Sequence, residues 1–148
     1  MKTILVPIDF SSVTADVVEQ AAQLAGAFSS AVWLLHVAAP DPEFVGYDSG
    51  PRDVRESVAR ELHDSHRLLQ EHSTSLRARG INATALQVQG ATVETIVHEA
   101  QRLHADLIVF GSHGHGAVHR ALLGSVSEGV LHHAPCPLLI VPARKPGH

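Results

Sequence analysis

Gly111-Ser112-His113-Gly114, followed after nine intervening residues by Gly124-Ser125, is the stretch of this chain whose residue types and spacing suit chemistry on an anion. Glycines can take positive φ and let a backbone come close to a ligand. The preceding run Asp106–Phe110 reads as a buried strand, so Gly111 falls at its carboxyl end, where an open parallel sheet presents its ligand crevice. A helix expected from Ser125 to about Ala134 would aim unpaired N–H groups and its positive dipole end at the loop. Together these features predict a cradle for a nucleotide phosphate.

Two better-known phosphate motifs are absent, which narrows the chemistry. The chain has neither Gly-x-x-x-x-Gly-Lys-[Ser/Thr] nor an early Gly-x-Gly-x-x-Gly, and Arg120 is the one permanent positive charge inside the loop. Phosphoryl transfer depends on positioning and charge stabilisation, so this composition favours binding over turnover. Histidines stand there instead: His113, His115 and His119 precede Ser125, and His132 and His133 end its helix, where cations suit the negative dipole end. Protonated imidazoles near phosphates gain favourable interaction, so affinity is expected to rise as pH falls through about 6.5. A transition-metal site built from His113-x-His115 and His119 is the alternative use of the same residues. Ser125-x-x-Glu128 also has the form of a capping box, which would turn the Ser125 hydroxyl towards its own helix.

The elements that must position this loop follow from apolar patterning. Thr3–Ile8 and Ala31–Val37 are short runs with apolar residues on both alternating faces, as expected of parallel strands covered on each side. Between them a helix capped by Ser11 or Ser12 would bury Val17, Ala21, Leu24 and Phe28. From Ala39 to about Pro51 prolines and glycines predict a loop, either a lid or a plain connection. A long helix marked by Val54, Val58, Leu62, Leu69 and Leu76 then runs to about Arg79, with Gly80 as its C′ residue. His63 and His66 stand one turn apart on it, as a metal pair would, but with no third or fourth ligand evident nearby they read as a solvated face.

Ala83–Gln89 is the third strand, and the alternation of Leu86 and Val88 with Gln87 and Gln89 places it near the sheet edge. Thr92 opens a helix with Ile96, Val97, Ala100 and Leu103 inward, and Leu138–Val141 is the final strand. Overlapping βαβ units with right-handed crossovers predict an α/β fold: a five-stranded, doubly wound parallel sheet with helices on both faces.

Size and composition bound the rest. The chain has 148 residues, 45% of them hydrophobic, and a formal net charge of −4, which predicts one ordinary domain and no polyanion-binding surface. Its lysines are Lys2 and Lys145 only, and the arginines lack interleaved aromatics, so no nucleic-acid partner is expected. Cys136, the single cysteine, excludes an internal disulfide and reads as a small buried hydrophobe. Pro7 and Asp9 interrupt the amino-terminal apolar run, and no run reaches membrane-spanning length, so a cytoplasmic location without membrane contact is expected.

From Thr3 to Pro142 the chain resembles the universal stress protein family. The nucleotide-binding branch of that family carries Gly, two residues, Gly, nine residues, then Gly-Ser or Gly-Thr, matched here by Gly111, Gly114, Gly124 and Ser125. The opening Val6-Pro-Ile-Asp9-Phe-Ser11, the ending Leu34-Leu-His-Val37 and the closing Ala134-Pro-Cys-Pro-Leu-Leu-Ile-Val141-Pro also look like family signatures.

The resemblance implies strand order 3-2-1-4-5, an ATP or AMP site between the first and fourth strands, and a homodimer through antiparallel pairing of Leu138–Val141. It assigns phosphate contacts to Gly111, Ser112, His113, Gly114, His115, Gly116 and Ala117, and to the turn Gly124, Ser125, Val126 and Ser127. Pro7, Ile8, Asp9 and Val37 are left to line the nucleoside end. Asp9 would accept from a ribose hydroxyl, share an Mg²⁺ carried by the nucleotide, or serve as a turn acceptor. Relatives often carry arginine or lysine where this chain has His115. The function implied is a regulatory nucleotide-binding protein of the stress response, with slow Mg-dependent ATP hydrolysis or a vestigial site as alternatives.

Overall fold

The apolar runs form a single parallel sheet in the computed structural model, which describes residues 1–40, 52–112 and 124–143. Its strands are β1 (Thr3–Pro7), β2 (Ala31–Ala38), β3 (Ala83–Gln89), β4 (Leu107–Gly111) and β5 (Leu138–Val141), in the order β3-β2-β1-β4-β5. The helices are α1 (Thr14–Phe28), α2 (Arg52–Ala78), α3 (Thr92–Arg102) and α4 (Ser125–His133). This is the doubly wound α/β architecture and strand order expected, with β3 at an edge.

Strand parity sorts the core into two layers. Ile4, Val6, Val32, Leu34 and Val109 face α1 and α2, whereas Leu5, Leu35, Ile108 and Phe110 face Ile96 and Ala100 of α3 and Val130 of α4. Successive right-handed crossovers carry the chain from β1 towards β3 over one face, then back to β4 and on to β5 over the other. The reversal falls between β1 and β4, the place where a crevice opens at the carboxyl ends of the strands.

The register shows how far it opens. β1 pairs with β2 from Thr3↔Ala31 to Pro7↔Leu35, and β4 pairs with β5 from Ile108↔Leu138 to Gly111↔Val141. Between β1 and β4 the partners are Ile4↔Leu107 and Leu5↔Ile108, beyond which the two strands go separate ways. Proline contributes to this, since Pro7 has no N–H to offer a neighbour.

Some helix details depart from expectation. Neither Ser11 nor Ser12 caps α1: its N-cap is Val13, which makes no side-chain capping bond, because the Ser11 carbonyl is taken by the Thr14 N–H and the Ser11 N–H by Asp9. Phe28 is 55% exposed, since the buried stripe of Val17, Val18, Ala21, Ala22 and Ala25 ends where the Ser30 N–H returns to the Ala25 carbonyl. On α2, Leu69 and Leu76 are fully buried but Val54 is exposed. A helix of 27 residues is about 40 Å long, well beyond the reach of the seven-residue β3, so its amino-terminal part outruns the sheet. Gly80, at φ 82°, is the expected C′ residue: its N–H reaches the Arg77 carbonyl and that of Ile81 the Leu76 carbonyl.

Asp106 ties the start of β4 to the start of β1. Its Oδ2 accepts the backbone N–H groups of Lys2 at 2.8 Å and Thr3 at 3.0 Å, and its own N–H donates to the Thr3 carbonyl at 2.9 Å. The Lys2 amide first, then that of Thr3, holds this carboxyl below the ordinary aspartate range. A lowered folded pKa means the unfolded chain takes up the proton more readily, so the stabilisation is present above the unfolded pKa and lost as pH falls through the folded one. Thermal denaturation followed from about pH 5 towards pH 3 is therefore expected to lose stability less steeply in Asp106→Asn than in the wild type. Parallel slopes would contradict this.

Candidate functional site

Where β1 and β4 separate, the structure holds a cavity of about 400 Å³, within the range of small-molecule sites. Pro7, Ile8 and Asp9 line it from the end of β1, and Leu35, His36 and Val37 from the end of β2. Phe110 and Gly111 close it from β4, Thr92 and Ile96 from α3, and Val13, Thr14 and Val17 from α1. Gly124, Ser125, Val126 and Ser127 bring the amino terminus of α4 to the same space. The expected residues that fall within the described chain thus converge on one cavity, except Ser112, which is buried and does not line it. His113, Gly114, His115, Gly116 and Ala117, with His119 and Arg120, lie outside the described residues, as do residues 41–51 of the candidate lid.

The two ends of the glycine loop are pinned together. Ser112 donates its N–H to the Val141 carbonyl and accepts the Gly124 N–H, both at 2.9 Å. Ser127, buried at the first turn of α4, donates its hydroxyl to the Gly111 carbonyl at 3.0 Å and approaches that of Ser112 at 3.3 Å. Its hydroxyl hydrogen is thereby committed to the strand end. The capping box does not form. Gly124 is the N-cap, with extended backbone and no side-chain capping bond, and Ser125 is already the first helical residue. A cap without a side chain over it leaves the first-turn amides turned towards the cavity, where an anion is favoured.

At the opposite end, Asp9 belongs to a tight turn. Its Oδ1 accepts the Ser11 N–H at 2.9 Å, so the turn-acceptor role is realised. Ser11 Oγ and Thr14 Oγ1 are buried without a hydrogen-bond partner beside this turn. Buried hydroxyls normally find partners, and Thr14 is a wall residue of the cavity. Among the described residues the wall carries no lysine or arginine, and Asp9 is its one carboxylate. Charge complementarity for an anion there would have to come from helix and backbone dipoles.

Several wall residues carried no sequence signal. Thr92, Ile96 and Phe110 read as ordinary helix and strand positions, because their place on the wall depends on α3 crossing behind β1 and β4. His36 had a faint one, as the neighbour of Val37. His63 and His66 are exposed on α2, and among the described residues no three His, Cys, Asp or Glu side chains form a group that could hold a metal ion. Burial raises the Cys136 thiol above its ordinary range, which suits an inert side chain. No helix among the described residues is long and apolar enough to cross a membrane.

Comparison with known proteins gives a consistent picture. Residues 1–142 match the universal stress protein family. The chain is 31% identical over 141 residues to a universal stress protein of Synechocystis sp., covering 95% of this chain and 85% of that one. Its fold superposes on universal stress protein UspA from Lactobacillus plantarum with a TM-score of 0.81 at 24% identity, over 95% of this chain and 97% of that one. It also superposes on a universal stress protein in complex with cAMP, with a TM-score of 0.70 at 26% identity over 95% and 96% of the two chains.

Proposed function

Because this chain belongs to the universal stress protein family, we propose that it is a regulatory protein of the stress response that binds an adenine nucleotide, ATP or AMP, and whose occupancy alters contacts with a second copy or another partner. The observation that carries this reading is the cavity at the β1/β4 divergence, with apolar walls at one end and the open amino terminus of α4 at the other. Pro7 and Val37 suit the flat face of a purine, Asp9 a ribose hydroxyl, and the Gly124–Ser127 turn a phosphate. The solved relative with cAMP bound supports an adenine nucleotide as the ligand class.

Holding, and not transfer, fits the wall. Among the described residues no lysine or arginine faces the cavity to stabilise a migrating phosphoryl group. A lone carboxylate already accepting the Ser11 N–H is a poor protein-borne magnesium site, so Mg²⁺ would arrive on the phosphates of ATP. For the second copy, the outer edge of β5 is the surface we assign: Leu138, Leu139 and Ile140 are half-buried, β5 pairs among the described residues only with β4, and Leu131 of the adjoining α4 is exposed.

Titrating the purified protein with ATP and with AMP by calorimetry tests the reading. Saturable binding is expected, with a rise in apparent stability of about 2.7 kcal/mol at a nucleotide concentration one hundred times Kd. Absence of heat and of thermal shift at millimolar nucleotide would remove it.

A further inference from the structure

We infer that His36 is a positioning residue of the nucleotide site, holding the turn that presents Asp9. The inference rests on the nucleotide-binding reading and adds to it a residue that acts through another. His36 stands near the carboxyl end of β2, on the face opposite to Leu35 and Val37, and borders the same cavity.

Its contacts bracket Asp9. On one side Nδ1 lies 3.0 Å from the Ile8 carbonyl oxygen. A carbonyl only accepts, so Nδ1 is the protonated nitrogen and the imidazole is held in one orientation. On the other side the ring packs against Phe10, with centroids 4.9 Å apart and planes tilted by 53°. Phe10 has φ 59°, a left-handed backbone that a side-chain-bearing residue adopts at a cost and keeps only when its surroundings hold it. The residue before Asp9 is also tied back to β2, since the Ile8 N–H donates to the Leu35 carbonyl at 2.8 Å. With Ile8 and Phe10 both fixed by β2, and Asp9 Oδ1 on the Ser11 N–H, the carboxylate has little freedom left. Preorganisation of this kind lowers the ordering cost of binding.

The two contacts can be separated by substitution. Asparagine carries an amide N–H at the position of Nδ1 and keeps the bond to Ile8, while phenylalanine keeps the ring against Phe10 and loses the donor. Calorimetry with ATP and with AMP on the full chain is expected to give a loss of about tenfold in affinity for His36→Phe and less than about threefold for His36→Asn. In an Asp9→Ala background, followed at raised nucleotide concentration, His36→Phe should then cost less than about twofold, because residues that act as a unit are not additive. The same tenfold loss with and without Asp9, or no loss at all, overturns the proposal. If the wild type binds neither nucleotide, the nucleotide reading itself has failed before any variant is compared.

Hydrogen exchange gives a readout without ligand. The Ser11 amide, held by Asp9, should exchange about tenfold faster in His36→Phe and at the wild-type rate in His36→Asn. Should the phenylalanine protein not fold, the asparagine protein decides: wild-type exchange at Ser11 upholds the proposal, and acceleration with the donor intact overturns it.

Discussion

Leu35→Ala is expected to destabilise the protein by about 2–5 kcal/mol, lowering Tm by roughly 5–15 °C. Leu35 is fully buried in the layer formed with Leu5, Ile96, Ile108 and Phe110, and its side chain is also part of the cavity wall. Truncation removes its transfer free energy and its dispersion contacts together. The vacated volume joins an existing cavity instead of forming a sealed void, which places the cost near the lower end of that range. Leu34→Ala is the internal comparison. Leu34 is equally buried but faces α1 and α2 and does not border the cavity, so its truncation should cost more. Denaturant unfolding of both variants measures the difference; a loss under about 1 kcal/mol for Leu35→Ala would mean that the layer repacks freely.

Gly129→Val should damage both stability and the site. A Cβ at Gly129 would stand 2.8 Å from Cγ2 and 3.1 Å from Cγ1 of Val93, so the backbone of α4 passes α3 with room for a hydrogen only. Val93 is β-branched and stiff about χ1, so it cannot swing aside cheaply. Overpacking of this sort costs about 1–3 kcal/mol, of which valine's better helix propensity returns a few tenths. The functional consequence follows from the same helix. α4 begins at Ser125, and its first turn lines the cavity at the end we assign to a phosphate, so pushing the helix off α3 displaces the groups that would receive the anion. Nucleotide affinity is expected to fall about tenfold, a shift of about 1.4 kcal/mol. Val93→Ala in the same chain should restore much of both losses. Thermal denaturation and calorimetry on the single and double variants check this, and additive losses would show that the two residues do not meet.

Much of the architecture was legible because it depends on patterns that are local. Four buried runs alternate with amphipathic helices, Gly80 announces the end of α2, and the glutamines of β3 mark an edge strand. The errors fall where local competition decides. Ser11, Ser12 and Ser125 are all good capping types, yet the caps are Val13 and Gly124: the Thr14 N–H that a Ser11 cap would receive goes to the Ser11 carbonyl, and α4 starts one residue earlier than a Ser125 cap requires. Phe28 fits a helical stripe by spacing but sits in the last turn, after the buried stripe has ended.

What the sequence by itself determined was the alternation of elements, the layers of the core and the two glycine-flanked ends of the site, since each is written in a period of two or 3.6 residues or in a short spacing. What only the tertiary structure decided was the cavity: that β1 and β4 part after Leu5 and Ile108, that α3 supplies Thr92 and Ile96 to its wall, and that His36 reaches across from β2 to grip both sides of Asp9. These contacts join segments far apart along the chain, and their geometry depends on strand register and helix crossing, which no local period encodes.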